Sequence, residues 1–192
     1  MRILGGIFIE MKKYQIIYAD PPWGYANKPA KSGSSQGFAA DRYPLMKLED
    51  LKGLPVSEIA DKDSVLLMWA TFPMLKQALE LMEAWGFIYR TTAFTWHKLN
   101  PKSGTDFFGL GYYTRSNNEV CLLGMKGNVK VKSHNVFQVL MTPRGKHSEK
   151  PQEARDRIIQ LFGDIPRIEL FARQKTEGWD VWGNEVKSDI EL

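Results

Sequence analysis

The sequence predicts an α/β domain with a mostly parallel sheet and helices on both faces, and three features carry that expectation. Short apolar runs alternate along the chain with segments of helical spacing, the pattern of successive βα units. One run, Val65-Leu66-Leu67-Met68-Trp69-Ala70, is apolar without interruption, as in a strand covered on both faces. With 192 residues, 43% of them hydrophobic and 25% charged, the chain has the length of one domain and enough apolar material for a full core. A single domain over residues 1–192 is therefore expected, without internal repeat or long linker.

Residues 1–12 read as an N-terminal extension, an edge strand or a frayed end. Its apolar stretch faintly resembles a signal sequence, but it is short and no small-residue cleavage site precedes Lys12-Lys13; Met11 is an alternative start. Ile16 to Ala19 reads as a buried strand, and Asp20-Pro21-Pro22-Trp23 follows it directly. Residues 24–44 form a polar loop rich in Gly, Ser, Ala and Lys. A loop of that length is a functional lid or a disordered segment. Its start at the strand exit favours a substrate-facing lid, whereas composition alone leaves both open.

Leu48–Leu51 and Val56–Ala60 read as short helical turns, and Val65–Ala70 as the next strand. Thr71 is placed to cap a helix with Pro73 in its first turn, Leu75, Leu79 and Met82 on its apolar face, and Gly86 at its close. Strands are expected at Ile88–Trp96, Glu119–Met125 and Val136–Leu140. A helix begins near Pro151, buries Ala154, Ile158, Leu161 and Phe162, and ends at Gly163. The strand Arg167–Ala172 and a short strand near Asp180–Trp182 complete the alternation.

Composition narrows the function classes. The net charge of +4 and a pI of about 9.1 are mildly basic, compatible with a polyanionic partner. Cys121, the one cysteine, lies in an apolar run and reads as a small buried hydrophobe rather than a nucleophile. No disulfide framework is possible, which fits a reducing cytoplasm. No apolar stretch is long enough to span a membrane. One Cys and the scattered His97, His134 and His147 make no metal-ligand spacing, so no metal is expected.

Asp20-Pro21-Pro22-Trp23 is the densest chemical signal. Open α/β sheets bind ligands at the carboxyl ends of their strands. The prolines fix the backbone and remove donors, leaving oriented carbonyls beside one carboxylate and one flat aromatic. That set suits a planar ligand with an exocyclic amino group. Asp20 and the Pro21 carbonyl can accept from the NH2, while Trp23 or Tyr25 covers the ring. The plain alternative is a turn, because Pro-Pro commonly ends an element.

The motif, in its DPPW form, resembles that of the MT-A70 family of adenine-N6 methyltransferases, and further blocks match in order from about residue 14 to residue 186. Val65–Thr71, Ala84-Trp85-Gly86-Phe87, Thr95-Trp96-His97-Lys98, Glu119–Asn128, His147–Glu153, Ile168–Arg173, Gly178-Trp179 and Gly183-Asn184-Glu185 are similar to successive family segments. The resemblance implies a Rossmann-like methyltransferase fold with circularly permuted order, the catalytic motif preceding the cofactor strand, and S-adenosylmethionine as cofactor. It implies catalytic roles for Asp20, Pro21, Pro22 and Trp23, and substrate contacts at Tyr25, Trp96 and Lys98. Lys150 would pair with the methionine carboxylate and Asn184 and Glu185 with the ribose. Glu169, Phe171 and Arg173 would complete the cofactor segment. A solvated lysine at 150, a surface turn at 185 and an ion pair between Glu169 and a nearby arginine are the plainer readings. No glycine-rich turn follows Arg167–Ala172, which argues against a dinucleotide phosphate.

Basic residues interleave with Phe107, Phe108, Tyr112 and Tyr113, a composition suited to single-stranded or flipped-out nucleotides. Nucleic acid is the expected partner, DNA ahead of RNA because the chain resembles the small bacterial and phage members. The absence of a large recognition domain suggests a short sequence preference or a homo- or heterodimer. A catalytically silent binding module is the competing class; its family counterparts lose the acidic proline motif that this chain retains.

Overall fold

The computed structural model describes residues 2–4, 7–9, 12–24, 45–111, 113–145 and 149–192, the first two of these segments by their backbone alone. The loop expected over 24–44, together with Tyr25 and His147, lies outside the described residues apart from Gly24.

Nine strands and four helices follow one another along the described chain. β1 (Arg2–Leu4) and β2 (Ile7–Ile9) pair antiparallel with each other as a separate two-stranded ribbon. β3 (Tyr14–Ala19), β4 (Ala60–Ala70), β5 (Ile88–Leu99), β6 (Asn118–Lys126), β7 (Val139–Pro143), β8 (Arg167–Leu170) and β9 (Asp180–Trp182) form one sheet in the order β7-β5-β6-β4-β3-β8-β9. Every neighbouring pair is parallel except those made by β6, which runs antiparallel to β4 and β5. This is a mixed but mostly parallel α/β sheet, as the sequence predicts.

Helices cover both faces. α1 (Leu48–Lys52), α2 (Val56–Ile59) and α3 (Leu75–Ala84) pack Leu51, Val56, Ile59, Ala78, Leu81 and Met82 against one face, where Ile17, Leu66 and Met68 point. α4 (Gln152–Phe162) packs Ala154, Ile158 and Phe162 on the other, against Ile16, Val65, Leu67 and Trp69. The period-2 division of β4 between the two clusters explains its uninterrupted apolar sequence. Two of the buried indoles are tied across the core: Trp85 Nε1 donates to the Leu51 carbonyl at 2.9 Å and Trp69 Nε1 to the Tyr18 hydroxyl at 2.6 Å.

Several boundaries differ from the sequence expectation; β4 begins at Ala60 rather than Val65, and β5 runs on to Leu99 rather than ending at Trp96. α3 is preceded by a 3-10 turn over Phe72–Met74, and the Thr71 side chain makes no capping bond to it. Gly86 does close α3, with φ +84 where a side chain would be strained. β7 runs from Val139 to Pro143 rather than from Val136 to Leu140, and Arg157 binds the Phe137 carbonyl at 2.5 Å and the Val139 carbonyl at 2.8 Å along this edge. β8 ends at Leu170, two residues early, because Phe171 turns into the left-handed region at φ 61.

The topology fixes where a ligand sits. From β3 the chain proceeds to β4 on one side; from β8 it proceeds to β9 on the other. The adjacent carboxyl ends of β3 and β8 are therefore the switch point at which open sheets bind ligands. Asp20 leaves one end and Phe171 the other, and the Asp20 amide meets the Leu170 carbonyl at 3.5 Å.

Candidate active site

Four side chains of alternating charge meet at this switch point. Asp20 Oδ2 accepts from Lys150 Nζ at 2.6 Å. Lys150 Nζ also lies 3.3 Å from Glu119 Oε2, and Lys98 Nζ donates to Glu119 Oε1 at 2.5 Å. The residues come from the exit of β3, the approach to α4, the start of β6 and the end of β5. They are largely enclosed: Lys150 is 9% exposed, Lys98 16%, Glu119 17% and Asp20 23%. Two indole faces favour the cations, Trp69 beneath Lys150 at 5.6 Å and Trp96 beneath Lys98 at 5.0 Å.

Burial and charge oppose each other here. Burial pushes the Asp20 carboxyl above its usual range, and the Lys150 ammonium opposes that rise. Burial would raise Glu119 too, but Lys150 and Lys98 together outweigh it and pull the carboxyl down to about 2. Burial also disfavours the charge on Lys150, and its two carboxylates overcome this and raise it above the ordinary lysine value. Glu119 thus serves as a shared anion between two lysines.

The sequence reading did not single out Glu119 as a site residue. Its signal was a carboxylate abutting the apolar run Val120-Cys121-Leu122-Leu123, at a position that pairs with Trp96 across the sheet. Carboxylates are rarely enclosed without a partner.

The acidic proline motif is more internally bonded than its sequence suggests. The Pro21 carbonyl accepts the Trp23 amide at 2.9 Å and the Pro22 carbonyl accepts the Met46 amide at 3.0 Å. One lone pair of the Pro21 carbonyl remains for a substrate donor. Trp23 is 7% exposed, packs in the core, and donates its Nε1 to the Trp69 carbonyl at 3.1 Å. The broad stacking face expected of Trp23 is therefore spent inside the protein. Trp96 is similarly buried, with Nε1 on the Thr142 carbonyl at 3.2 Å and its ring edge-on to Trp69.

The cofactor segment divides. Phe171 lies between Trp85, stacked at 6.5 Å, and Trp182, edge-on at 5.3 Å. Arg173 Nε is 3.7 Å from Glu185 Oε1, linking the exits of β8 and β9, and its charge also acts on Asp20. Asn184 and Glu185 are exposed beyond β9. Glu169 does not join them. Both its oxygens are held by Arg155 of α4, at 2.8 and 2.6 Å, in a buried pair; this is the ion-pair alternative rather than a cofactor contact.

Among the described residues no cluster of three or more His, Cys, Asp and Glu side chains could hold a metal, and no helix is long and apolar enough to cross a membrane.

Comparison with known proteins gives a consistent result. The profile of the family described as MT-A70 matches residues 14–185. Type II methyltransferase M.MunI of Mycoplasma sp is 41% identical over 192 residues, spanning 91% of this chain and 78% of that protein. An N(6)-adenosine-methyltransferase MT-A70-like protein of Arabidopsis thaliana is 25% identical over 177 residues, 90% of this chain and 24% of its own length. An N(6)-adenine-specific methyltransferase of Homo sapiens is 28% identical over 192 residues, 91% of this chain and 38% of its own.

Proposed function

The chain belongs to the MT-A70 family of methyltransferases, and on that premise we propose that it methylates N6 of adenine in DNA with S-adenosylmethionine as donor. The observation that carries this reading is the Asp20–Lys150 pair at the sheet's switch point: an oriented carboxylate held where a ligand's amino group can reach it.

The residues at the crevice fit that donor. An ammonium has three N–H groups, and Lys150 directs two at Asp20 and Glu119, so one remains for the donor's carboxylate. Asn184 and Glu185, exposed beyond β9, supply amide and carboxylate acceptors for a ribose diol. Phe171 and Trp182, both half-buried, supply an apolar wall, with Trp85 packed behind Phe171. S-adenosylmethionine, when bound, brings an electrophilic methyl group on a sulfonium.

This chain's own residues act on the acceptor. An adenine amino nitrogen is a poor nucleophile because its lone pair is delocalised into the ring. Asp20, accepting one N–H, and the remaining lone pair of the Pro21 carbonyl, accepting the other, favour a pyramidal nitrogen with a localised lone pair. Positioning supplies much of the acceleration. The carboxylate of Asp20 stabilises the positive charge that develops on nitrogen, and Lys150 aims it and opposes the burial that pushes its carboxyl up. No dedicated histidine is required, since proton loss follows transfer.

DNA is favoured by the Type II methyltransferase relative, of which this chain spans most of the length. RNA is the second reading, supported by the N(6)-adenosine methyltransferase relatives. A silent binding subunit is disfavoured by the intact Asp20–Lys150 pair. A single domain working in the cytoplasm, alone or as a homo- or heterodimer, completes the proposal. The test is methyl transfer from labelled S-adenosylmethionine to matched DNA and RNA oligomers, single- and double-stranded, with Asp20→Ala as control and products identified by mass. N6-methyladenine in DNA, lost in the variant, is the expected result; transfer by Asp20→Ala at full rate would sink the mechanism.

A further inference from the structure

The connection between β5 and β6, residues 100–117, leaves the sheet at the same end as Asp20, because β5 runs in the direction of β3. Its base is firmly tied. The Lys98 amide donates to the Asn117 carbonyl at 2.8 Å and the Phe107 amide to the Lys98 carbonyl at 3.0 Å. Asn100 Nδ2 reaches Thr105 Oγ1 at 3.0 Å and the Asp106 carbonyl at 2.9 Å. The base adjoins the site directly, since Lys98 is the outer member of the Lys98–Glu119–Lys150–Asp20 chain.

Beyond Phe107 the two limbs are pressed together. A Cβ on Gly109 would lie 1.9 Å from the Ser116 carbonyl oxygen, and one on Gly111 1.7 Å from that of Thr114. Only glycine allows backbones this close. The result is a narrow finger whose large apolar groups point outward: Phe108 is 67% exposed, Leu110 88% and Tyr113 94%. Cations flank it. The Arg115 guanidinium lies 4.5 Å over the Phe108 ring, and Arg144, from the end of β7, lies 3.6 Å over Phe107.

Large apolar groups gathered on a protein surface mark an interaction site. Guanidinium groups stacked by their faces keep in-plane N–H edges for phosphate. Flat apolar tips between such cations match a partner with bases inside and phosphates outside. The chemistry at Asp20 makes a further demand. A stacked adenine cannot reach a carboxylate enclosed in a crevice, so the nucleotide must leave the duplex, and its lost stacking must be offset. Apolar side chains inserted between base steps do this in other DNA-binding proteins.

We propose that the finger formed by residues 107–111 and 113–116 is a wedge that enters DNA beside the target adenine. Leu110 and Tyr113 take up the base-stack position the adenine vacates, while Arg115 and Arg144 hold the flanking phosphates. The inference rests on the reading of this chain as a DNA adenine methyltransferase and gives that reading its means of base extrusion.

The test compares the full chain with L110S/Y113S and with R115Q. The substrates are a duplex containing the methylated sequence and the same duplex with an abasic site opposite the target adenine. A third duplex carries 2-aminopurine at the target position, built on random sequence if no methylated sequence is found. L110S/Y113S is expected to lower kcat/KM on the intact duplex by roughly 10- to 100-fold, the loss of one or two stacked contacts. It should stay within about threefold on the abasic-opposed duplex, where extrusion costs least. The 2-aminopurine fluorescence rise should vanish, with the dissociation constant for S-adenosylmethionine unchanged. R115Q should weaken all duplexes alike and reduce the salt dependence of binding by about one phosphate contact. Equal losses on both duplexes, or none, would overturn the wedge. So would a change in sedimentation on mutating the tip, which would make it a protein interface. If the unaltered protein methylates no DNA, the parent reading fails on its own. Duplex binding and the 2-aminopurine signal need no methyl transfer and still decide the wedge: without the fluorescence rise it is wrong.

Discussion

Lys150 Nζ and Asp20 Oδ2, 130 residues apart in sequence, meet at 2.6 Å and make one functional group of two motifs. The Lys150 charge opposes the burial that raises Asp20. Removing it in Lys150→Gln leaves burial unopposed, so the Asp20 carboxyl moves further up. The acid limb of the kcat/KM profile therefore shifts to higher pH, and kcat falls on the order of 10²-fold as the carboxylate loses its aim. Lys150→Arg should return the limb part of the way. Methyl transfer measured across pH checks this; an unmoved limb in Lys150→Gln would show that Asp20 does not set it. The same variant should bind S-adenosylmethionine more weakly.

Glu119 has the opposite sign. Its carboxyl is depressed in the folded chain from about 4.5 to about 2, so its contribution is fully present above the higher value and is lost as pH falls through that window. The difference corresponds to roughly 3 kcal/mol at neutral pH. Glu119→Gln should lower stability by up to that amount at pH 7. The gap between the two proteins should narrow steadily below pH 4.5, because protonated Glu and Gln are alike in charge. Urea midpoints at several pH values supply the measurement, and a gap independent of pH contradicts the shared-anion role.

Phe171 occupies φ 61, a conformation strained for any side chain, and packs between Trp85 and Trp182. Truncation to Ala loses the packing and keeps the strain; truncation to Gly loses the packing and relieves it. Phe171→Gly should therefore be the more stable of the two by about 1 kcal/mol, although it removes more atoms. Chemical denaturation of the pair decides, and an Ala variant at least as stable as Gly would show the strain to be small.

Trp23→Phe keeps an aromatic ring and deletes the indole N–H that serves the Trp69 carbonyl. Loss of that bond should cost about 1–2 kcal/mol of stability. Because Trp23 packs inward, substrate affinity should change little, by less than about threefold, a difference of under 0.7 kcal/mol. A large loss of nucleic-acid affinity with unchanged stability would restore Trp23 as a stacking surface.

The sheet was legible where the chain is buried on both faces. β3 and β4 write that burial as apolar runs, and α3 and α4 write theirs at helical spacing. β7 was misplaced because an edge strand leaves alternate residues exposed, Val139 and Met141 among them, so Val136–Pro143 admits more than one frame. Asp20 and Lys150 were visible as residues, but not as partners. That needs β3 and the approach to α4 to converge in space. Glu119 became a site residue only through the register that sets it opposite Trp96. The duty of Glu169 was settled by Arg155, fourteen positions earlier on a helix.

The parallel pairing of Ile17 with Ile168 has a consequence for biosynthesis. At 5–20 residues per second, about 150 residues of elongation take roughly 8–30 s, and β3 has no β8 beside it until they are complete. Through that interval the nascent chain holds an open strand edge of Tyr14–Ala19, a template for pairing with other chains. The permuted order thus leaves the edge of β3 to be sealed by a segment translated about 150 residues after it, and ribosome-bound chains stalled before Arg167 should be the species that chaperones hold.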